Sequence, residues 1–371
     1  MSEQAHATTH DRTVFHRASA LPGALVRTAA LWATLVLATG CGEFEVPEIV
    51  LDLRVMAINA EPPEVVVPID ITALPAAIDD PALLAEILAD LEVPDVEVCA
   101  LVGDPNDSRS LEFTMHACAP TSHRRCDDPT RALADITSGT VEDPEEAAGP
   151  VAMCGTLTPS IQFFEVLRES IESDPLSGLS GIEMQVQLTV RPEGTPFEEA
   201  EYAAKKVVFS ADYPEGKQAN QNPLLSELVR ELEDEDDVPL PLGRCRDVAP
   251  LVLAPGEGAV LLPVEAEGAR EDYVLPTFDG EVRFYTENLA YTWYATDGSF
   301  SARVTGGPRD GAGNEEPLDT EWTAPEEVTE PLDVSLWLVQ RDERGGLNWY
   351  ESCIRVEPAG AAPAGPSARL D

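Results

Sequence analysis

Basic residues are scarce in this sequence. Its 371 residues include 24 Lys and Arg against 68 Asp and Glu, which gives a formal net charge of −44. Nucleic-acid recognition requires a positive surface, so the composition argues against a nucleic-acid partner, and anionic lipid headgroups would be repelled. The same charge attracts basic partners and divalent cations.

Histidine and nucleotide-binding motifs are equally scarce. Only two histidines, His116 and His123, follow residue 40, which argues against a Ser-His-Asp hydrolase. The sequence also has no G-x-S-x-G, S-x-x-K or P-loop motif. We therefore expect a non-enzymatic protein without a cofactor. The alternative is a cell-envelope hydrolase that uses carboxylates, which would require two facing acids in a cleft.

The sequence lacks an apolar run long enough for a membrane-spanning helix, which takes about 20 such residues. The apolar stretch at 29–38 is shorter, follows Arg12, Arg17 and Arg27, and fits the apolar region of an export signal. The sequence Leu37-Ala38-Thr39-Gly40-Cys41 that ends it resembles the lipobox of bacterial lipoproteins. The resemblance implies a signal peptide at 1–40, acylation of Cys41 with palmitate-type chains, and a tether at 41–48. Gly42 is compatible with the outer membrane, so we expect a lipid-anchored protein of the cell outer membrane.

Six cysteines remain after Cys41: Cys99, Cys118, Cys126, Cys154, Cys245 and Cys353. An even number in an exported chain predicts disulfides. Cys245 and Cys353 bracket one unit and are expected to pair. The other four allow three pairings, of which we favour 99–118 with 126–154 because near neighbours pair most often.

Hydrophobic periodicity predicts a mainly β chain with two immunoglobulin-like β-sandwich domains, the first carrying short helical insertions. The first domain spans 49–211, with strands predicted at 49–58, 64–74, 95–103, 182–190 and 203–210. Helices are predicted at 80–91 and 160–172, the latter burying Ile161, Phe164, Leu167 and Ile171. Residues 104–150 are expected to form a cross-linked loop. An acidic linker at 212–244, with one or two helical turns within 222–232, separates this domain from the second.

The second domain is predicted at 245–357, followed by a disordered tail at 358–371. Its predicted strands are 259–265, 281–287, 290–296, 300–305, 332–340 and 347–356, and the sequence DERGG at 342–346 indicates a hairpin turn. The segment from Tyr291 through Trp293 to Asp297-Gly298, continued by Trp322 and the strand around Trp337, resembles PKD-type immunoglobulin-like domains. The whole layout is similar to lipoproteins of predatory, high-GC Gram-negative bacteria. The resemblance implies a non-catalytic module that contacts protein or polysaccharide.

Three groups of residues carry side chains of the kinds found in ligand sites. His116, Cys118, His123 and Cys126 carry the ligand types of a zinc site, but a disulfide loop is favoured and no metal is assigned. Asp104, Asn106, Asp107 and Ser108, with Asp297, Asp310 and Asn314, offer hard oxygen ligands for weak calcium binding, against the alternative of Asx turns. Trp293 and Trp337 are expected to be buried, whereas Trp349-Tyr350 is the better candidate for a sugar-stacking surface.

Overall fold

Strands dominate the part of the chain that the structure describes, as the sequence predicted. The computed structural model describes residues 48–68, 82, 86, 91–104, 109–120, 125–126, 130–141, 151–175, 181–214, 217–232, 236–277 and 281–358. The predicted signal peptide, Cys41, nearly all of the predicted helix at 80–91 and residues 359–371 lie outside this range. No helix in the described ranges has the length and apolarity needed to cross a bilayer.

The first set of sheets, which we call the N-terminal sandwich, encloses one large apolar cluster. One sheet has the order β1-β3-β6, formed by Arg54–Glu61, Val96–Gly103 and Val151–Leu157. The other has the order β2-β8-β7-β4-β5, formed by Glu64–Val67, Glu201–Ala211, Ile182–Pro192, Leu111–Cys118 and Leu133–Val141. Strand β2 pairs in parallel with β8, and the other pairs in both sheets are antiparallel.

The prediction of a loop across 104–150 was wrong, because β4 and β5 lie within it. Their sequences contain Thr, Ser and Asp, which suit a strand with one face toward solvent, and β5 is indeed largely exposed. The strand predicted at 49–58 is also interrupted. Ile49 bridges to Ala295 in the other set of sheets, and only from Arg54 does the chain enter the N-terminal sandwich.

Helix α1, Ile161–Ser173, matches the predicted helix, but its buried face is different. Ser160 caps the helix by accepting a hydrogen bond from the Phe163 amide at 3.1 Å. The buried side chains belong to Phe163, Val166, Leu167, Ser170 and Ile171, whereas Ile161 is 78% exposed. Phe163 packs edge-on against Phe209 of β8, and this contact sets the rotation of the helix that periodicity misjudged.

The second set, which we call the C-terminal sandwich, has two five-stranded sheets and a separate hairpin. One sheet has the order β10-β9-β12-β18-β16, formed by Val238–Leu240, Leu225–Glu231, Gly258–Glu265, Thr320–Thr323 and Ser299–Phe300. The other has the order β11-β20-β19-β15-β17, formed by Leu251–Leu253, Leu347–Val356, Leu332–Arg341, Ala290–Ala295 and Val304–Gly306. The hairpin pairs β13 with β14, formed by Asp272–Pro276 and Val282–Thr286.

The helical turns expected within 222–232 are also wrong. That stretch is β9, which pairs with β12, and β10 follows at 238–240. Leu228 and Val229 are buried in the strand, so the apolar residues before the acidic run serve the C-terminal sandwich. The strand predicted at 300–305 is divided between the two sheets as β16 and β17.

Three of the residues that carry the PKD resemblance lie in the core of the C-terminal sandwich. Tyr291, Trp293 and Trp322 are all at most 1% exposed. Trp293 donates to Thr305 Oγ1 at 3.0 Å, and Trp322 donates to the Asp297 carbonyl at 3.1 Å. The Asp297-Gly298 turn therefore lies directly against the ring of Trp322.

Candidate functional site

The cysteines form three disulfides in the described part of the chain. Cys245 and Cys353 form the predicted bond. The favoured pairing of the other four was wrong, since the structure joins Cys99 to Cys154 and Cys118 to Cys126. Cys99 and Cys154 lie opposite each other on β3 and β6, with Cα atoms 4.0 Å apart. Strand pairing, rather than proximity in sequence, brought them together.

The zinc alternative loses its two thiolates to the Cys118–Cys126 disulfide. His116 Nδ1 instead contacts Asp135 Oδ1 at 2.9 Å, and His123 lies outside the described residues. The Cys126 amide donates to the Gln187 side chain of β7 at 2.8 Å.

The calcium candidates bond within their own loops. Asp104 accepts two hydrogen bonds from Arg109 at 2.7 and 3.0 Å, while 105–108 lie outside the described residues. Asp310 accepts from the Asn314 amide and side chain, both at 2.8 Å. Asp297 accepts from the Gly298 amide at 2.6 Å. Asp310 also accepts from the Ala312 amide, two residues on, at 2.8 Å, which is the contact of an Asx turn, whereas Asp104 forms an ion pair with Arg109.

None of the four tryptophans among the described residues presents a flat exposed platform. Trp293 and Trp337 are buried, as expected. Trp349 is half-buried against the apolar contact between the sandwiches, and the Tyr350 hydroxyl accepts from the Leu225 amide at 2.7 Å. The Trp349 and Tyr350 side chains therefore contact other parts of the protein and do not form the sugar-stacking surface that the sequence suggested.

Sequence reasoning missed a buried ion cluster where the two sandwiches meet. Its centre is Glu64, the first residue of β2, whose side chain is 8% exposed. The carboxylate accepts from Lys217 at 2.7 Å, from Arg344 at 2.5 Å and from the Asn220 amide at 2.8 Å. Ser210 Oγ donates to the same carboxylate. Two features of the sequence could have indicated the cluster. Glu64 directly precedes the apolar run Val-Val-Val, and Lys217 is one of only three lysines in the chain.

Arg344 reaches this cluster from the turn between β19 and β20. Asp342 shapes the turn by accepting from the amides of Arg344 and Gly346 at 2.8 and 2.7 Å. A Cβ on Gly346 would lie 2.1 Å from the Asp342 carboxylate and 2.7 Å from the Gln221 carbonyl, so only glycine fits this close approach. The turn thus holds the guanidinium between Glu64 on one side and the β13–β14 hairpin on the other.

The acids of the cluster differ in their response to burial. Burial alone would raise the pKa of Glu64, but hydrogen bonds from Lys217 and Ser210 outweigh it and hold the pKa below its ordinary value. Glu287 behaves in the opposite way. Its burial and the nearby Asp342 charge raise its pKa to about 7, against a weaker lowering effect of Arg344. The cluster can therefore take up a proton at Glu287 near neutral pH.

An apolar and polar contact surrounds the ions. Seven buried apolar residues form one cluster across the boundary between the sandwiches. Those from the N-terminal side are Val50, Met56, Ala57 and Leu101, and those from the C-terminal sandwich are Trp337, Val339 and Leu347. Asn222 joins both sandwiches, because its amide donates to the Ala60 carbonyl at 2.8 Å and accepts from the Leu347 amide at 2.8 Å. These contacts and the ion pairs cross the same boundary, so they fix one sandwich against the other.

The β13–β14 hairpin stands beside this cluster and is the most exposed strand pair of the described residues. Every residue of β14 is exposed, and the Phe284 side chain is 80% exposed. The hairpin is attached at its base, where Tyr273 donates to Glu343 at 2.8 Å and lies under the Arg344 guanidinium at 4.9 Å. Burial and the Glu343 carboxylate raise the pKa of Tyr273 to about 12, so it stays a hydrogen-bond donor.

An open depression of about 440 Å³ lies between the hairpin and the cluster, lined in part by Tyr273, Val274, Phe284, Lys217 and Arg344. Its cations are already paired. Lys217 and Arg344 bind Glu64, and Arg270 binds Glu265 at 2.7 Å. The depression therefore offers aromatic and apolar surface without a free positive charge for an anionic ligand.

Comparisons with known proteins add little to this geometry. No protein-family model and no curated protein matches the chain. Among solved structures it is similar to red sea bream transglutaminase (9% identity, TM-score 0.19, covering 71% of this chain and 29% of the other). It is also similar to the BSP domain of a biofilm-associated protein (9%, 0.21, 70% and 55%). A third is the C-terminal domain of the AgI/II polypeptide BspA from Streptococcus agalactiae (8%, 0.15, 71% and 93%).

The chain spans less than two thirds of the first two of these structures, and all three TM-scores lie far below the level at which folds correspond.

Proposed function

We propose that this chain is a membrane-anchored, non-catalytic lipoprotein of the cell envelope, held by acylated Cys41, that acts as a binding module. The observation that carries the binding role is the β13–β14 hairpin, which is exposed along β14 while the sheets around it are packed. The ion cluster at its base holds the hairpin in a fixed position, which suits a surface that must meet a partner.

Protein contact has more support than polysaccharide contact. Sugar-binding surfaces usually stack on tryptophan or tyrosine rings that are open to solvent. Trp293, Trp322 and Trp337 are buried, and the Tyr285 ring is stacked on Tyr273 at 5.4 Å. The hairpin offers main-chain groups and the exposed ring of Phe284. A polypeptide can satisfy both.

The alternative, a carboxylate hydrolase, has weaker support. Glu271 and Glu287 are two acids that lie close together, 3.7 and 3.3 Å from the same guanidinium nitrogen of Arg344. The Glu287 side chain is only 1% exposed. The shared cation and the burial of Glu287 argue against this pair as the catalytic acids of a hydrolase.

The export part of the proposal rests on the lipobox-like sequence ending at Cys41 and is supported by the disulfides. Cell fractionation tests it. The native chain should stay in the membrane pellet until detergent is added, and C41A should move to the soluble fraction. G42A keeps the cysteine and is the matched control, expected to stay with the membrane. A C41A protein that still needs detergent for release would overturn the anchor.

A separate assay addresses catalysis. A soluble form starting at residue 42 is incubated with purified cell-wall polysaccharide, and reducing ends are counted. We expect none. Release that disappears in E271Q would favour the hydrolase.

A further inference from the structure

The ladder of the β13–β14 hairpin decides which backbone groups of β14 are available. The paired residues run from Asp272 opposite Thr286 to Pro276 opposite Val282. One backbone hydrogen bond lies beyond each end of this ladder. The Thr277 amide donates to the Glu281 carbonyl at 2.8 Å, and the Glu287 amide donates to the Glu271 carbonyl at 3.0 Å. Hydrogen-bonded and non-bonded pairs alternate in an antiparallel ladder. Arg283 and Tyr285 therefore bond toward β13, while Val282, Phe284 and Thr286 turn their N–H and C=O groups outward.

The outward groups of β14 form an open sheet edge. This sheet has two strands, and in the described part of the chain no strand lies beside β14. The strand reads Val-Arg-Phe-Tyr-Thr, residue types that favour extended structure, and a long exposed edge of this kind attracts another strand. The outer edge of β13 is less suitable, because Pro276 has no N–H group.

Charge determines what kind of strand the edge suits. The chain carries a net charge of −44, and the exposed acids Glu281 and Asp272 lie at the two ends of β14, whose one cation is Arg283. A second copy would bring an equal negative charge to the contact, which opposes pairing. A basic segment is attracted, and its alternate apolar residues would contact Phe284, 80% exposed, and Val282, 37% exposed.

We infer that β14 is a docking edge for an extended, basic segment of a protein partner, which adds to the hairpin as a third strand. Main-chain bonds to Val282, Phe284 and Thr286 supply the affinity, and alternate side chains supply the selectivity. This inference rests on the proposed binding role and names the partner chemistry and the surface.

The test uses the soluble form starting at residue 42 and a synthetic peptide of alternating lysine and valine. Binding is followed by hydrogen exchange resolved to single amides. The amides of Val282, Phe284 and Thr286 should exchange rapidly in the free protein and become protected with the peptide. Those of Arg283 and Tyr285 should be protected in both states. A peptide of the same sequence with every backbone amide N-methylated keeps the charge but loses both hydrogen-bonding edges, and it should give no protection.

Two variants separate the main chain from the side chain. F284P removes an outward N–H without breaking a bond to β13, because proline is tolerated on such an edge. It should weaken binding by about tenfold or more, since a peptide carbonyl loses its donor. F284V keeps the N–H and should lose less affinity. Near-ultraviolet circular dichroism checks that both fold.

Several results would overturn the inference. Equal binding of an acidic peptide of alternating glutamate and valine would remove the charge argument, and unchanged binding by F284P would remove the main-chain argument. Absence of protection in the native protein would reject the docking edge. A dimer in sedimentation velocity that F284P abolishes would identify a second copy as the occupant. Each result leaves the C41A fractionation untouched, so failure here is distinct from failure of the anchored-module proposal.

Discussion

Arg344 and Glu64 are 280 residues apart in the chain, and the guanidinium of one donates to the carboxylate of the other at 2.5 Å. Both side chains are largely buried, at 14% and 8% exposure. Their contact joins a hairpin turn of the C-terminal sandwich to the first residue of β2 in the N-terminal sandwich. Without the guanidinium, Glu64 would keep Lys217 as its cation but the buried Glu287 would lose its ion pair with Arg344, so Arg344 should contribute strongly to the union of the sandwiches.

Replacing Arg344 tests that contribution. We expect R344M to lower the free energy of unfolding in urea by about 3 to 5 kcal/mol, because Glu64, Glu271 and Glu287 lose their shared cation. R355M is the matched control, since Arg355 binds Asp333 at 2.6 Å on the surface of the same sheet and such pairs contribute about 1 kcal/mol or less. Equal losses in the two variants would show that the buried pair has no special role.

Glu287 should make stability depend on pH. Its pKa is about 7 in the folded protein against an ordinary value of 4.5. Between these values the folded state holds a proton that the unfolded state has released, so stability falls as pH rises from about 4.5 to 7. E287Q cannot titrate, and its stability minus that of the native protein should increase across this window. The measurement is urea unfolding at a series of pH values, and a flat difference would contradict the assignment.

The loss of unfolding free energy on removing a disulfide should increase with the length of the loop that the disulfide closes. The Cys245–Cys353 bond closes a separation of 108 residues and the Cys118–Cys126 bond a separation of 8. The chain-entropy model predicts losses of about 5 and about 2.5 kcal/mol for the paired serine variants. Peptide mapping without reduction checks the three pairings beforehand, and thiol reagents should label none of the six cysteines. A reversed order of stability would mean that contacts other than loop closure dominate.

Substitution of Gly298 should be costly for two reasons, its positive φ and the closeness of the Trp322 ring. Its φ is +87°, and a Cβ there would lie 2.5 Å from the ring of Trp322. Gly268 has a φ of +78° with nothing within 4 Å of a Cβ, which makes it the matched control. We expect G268A to cost about 1 kcal/mol for the backbone alone. G298A should cost clearly more and alter the near-ultraviolet signal of Trp322, and equal costs would count against the ring contact.

Local patterns were sufficient for most elements with a strong period. Strands β3, β7, β8, β12, β19 and β20 and helix α1 lie where alternation or helical spacing predicted them. The turn at 342–346 and the Cys245–Cys353 bond follow from signals that lie in one short segment or bracket one unit. The failures occurred where a polar stretch was judged by composition. Both β4 and the acidic-flanked β9 gain their stability from strands far away in sequence.

The amino-acid sequence by itself determined the mainly β class, the excess of acids and the positions of the strongest strands, because these depend on residue type and short-range spacing. Only the tertiary structure decided which cysteines pair, which face α1 buries and where Glu64 meets Arg344. Those outcomes depend on strand register and on packing between segments up to 280 residues apart. The exposed edge of β14 belongs to the second group as well, since a strand is an edge only when the rest of the fold leaves its outward hydrogen-bonding groups uncovered.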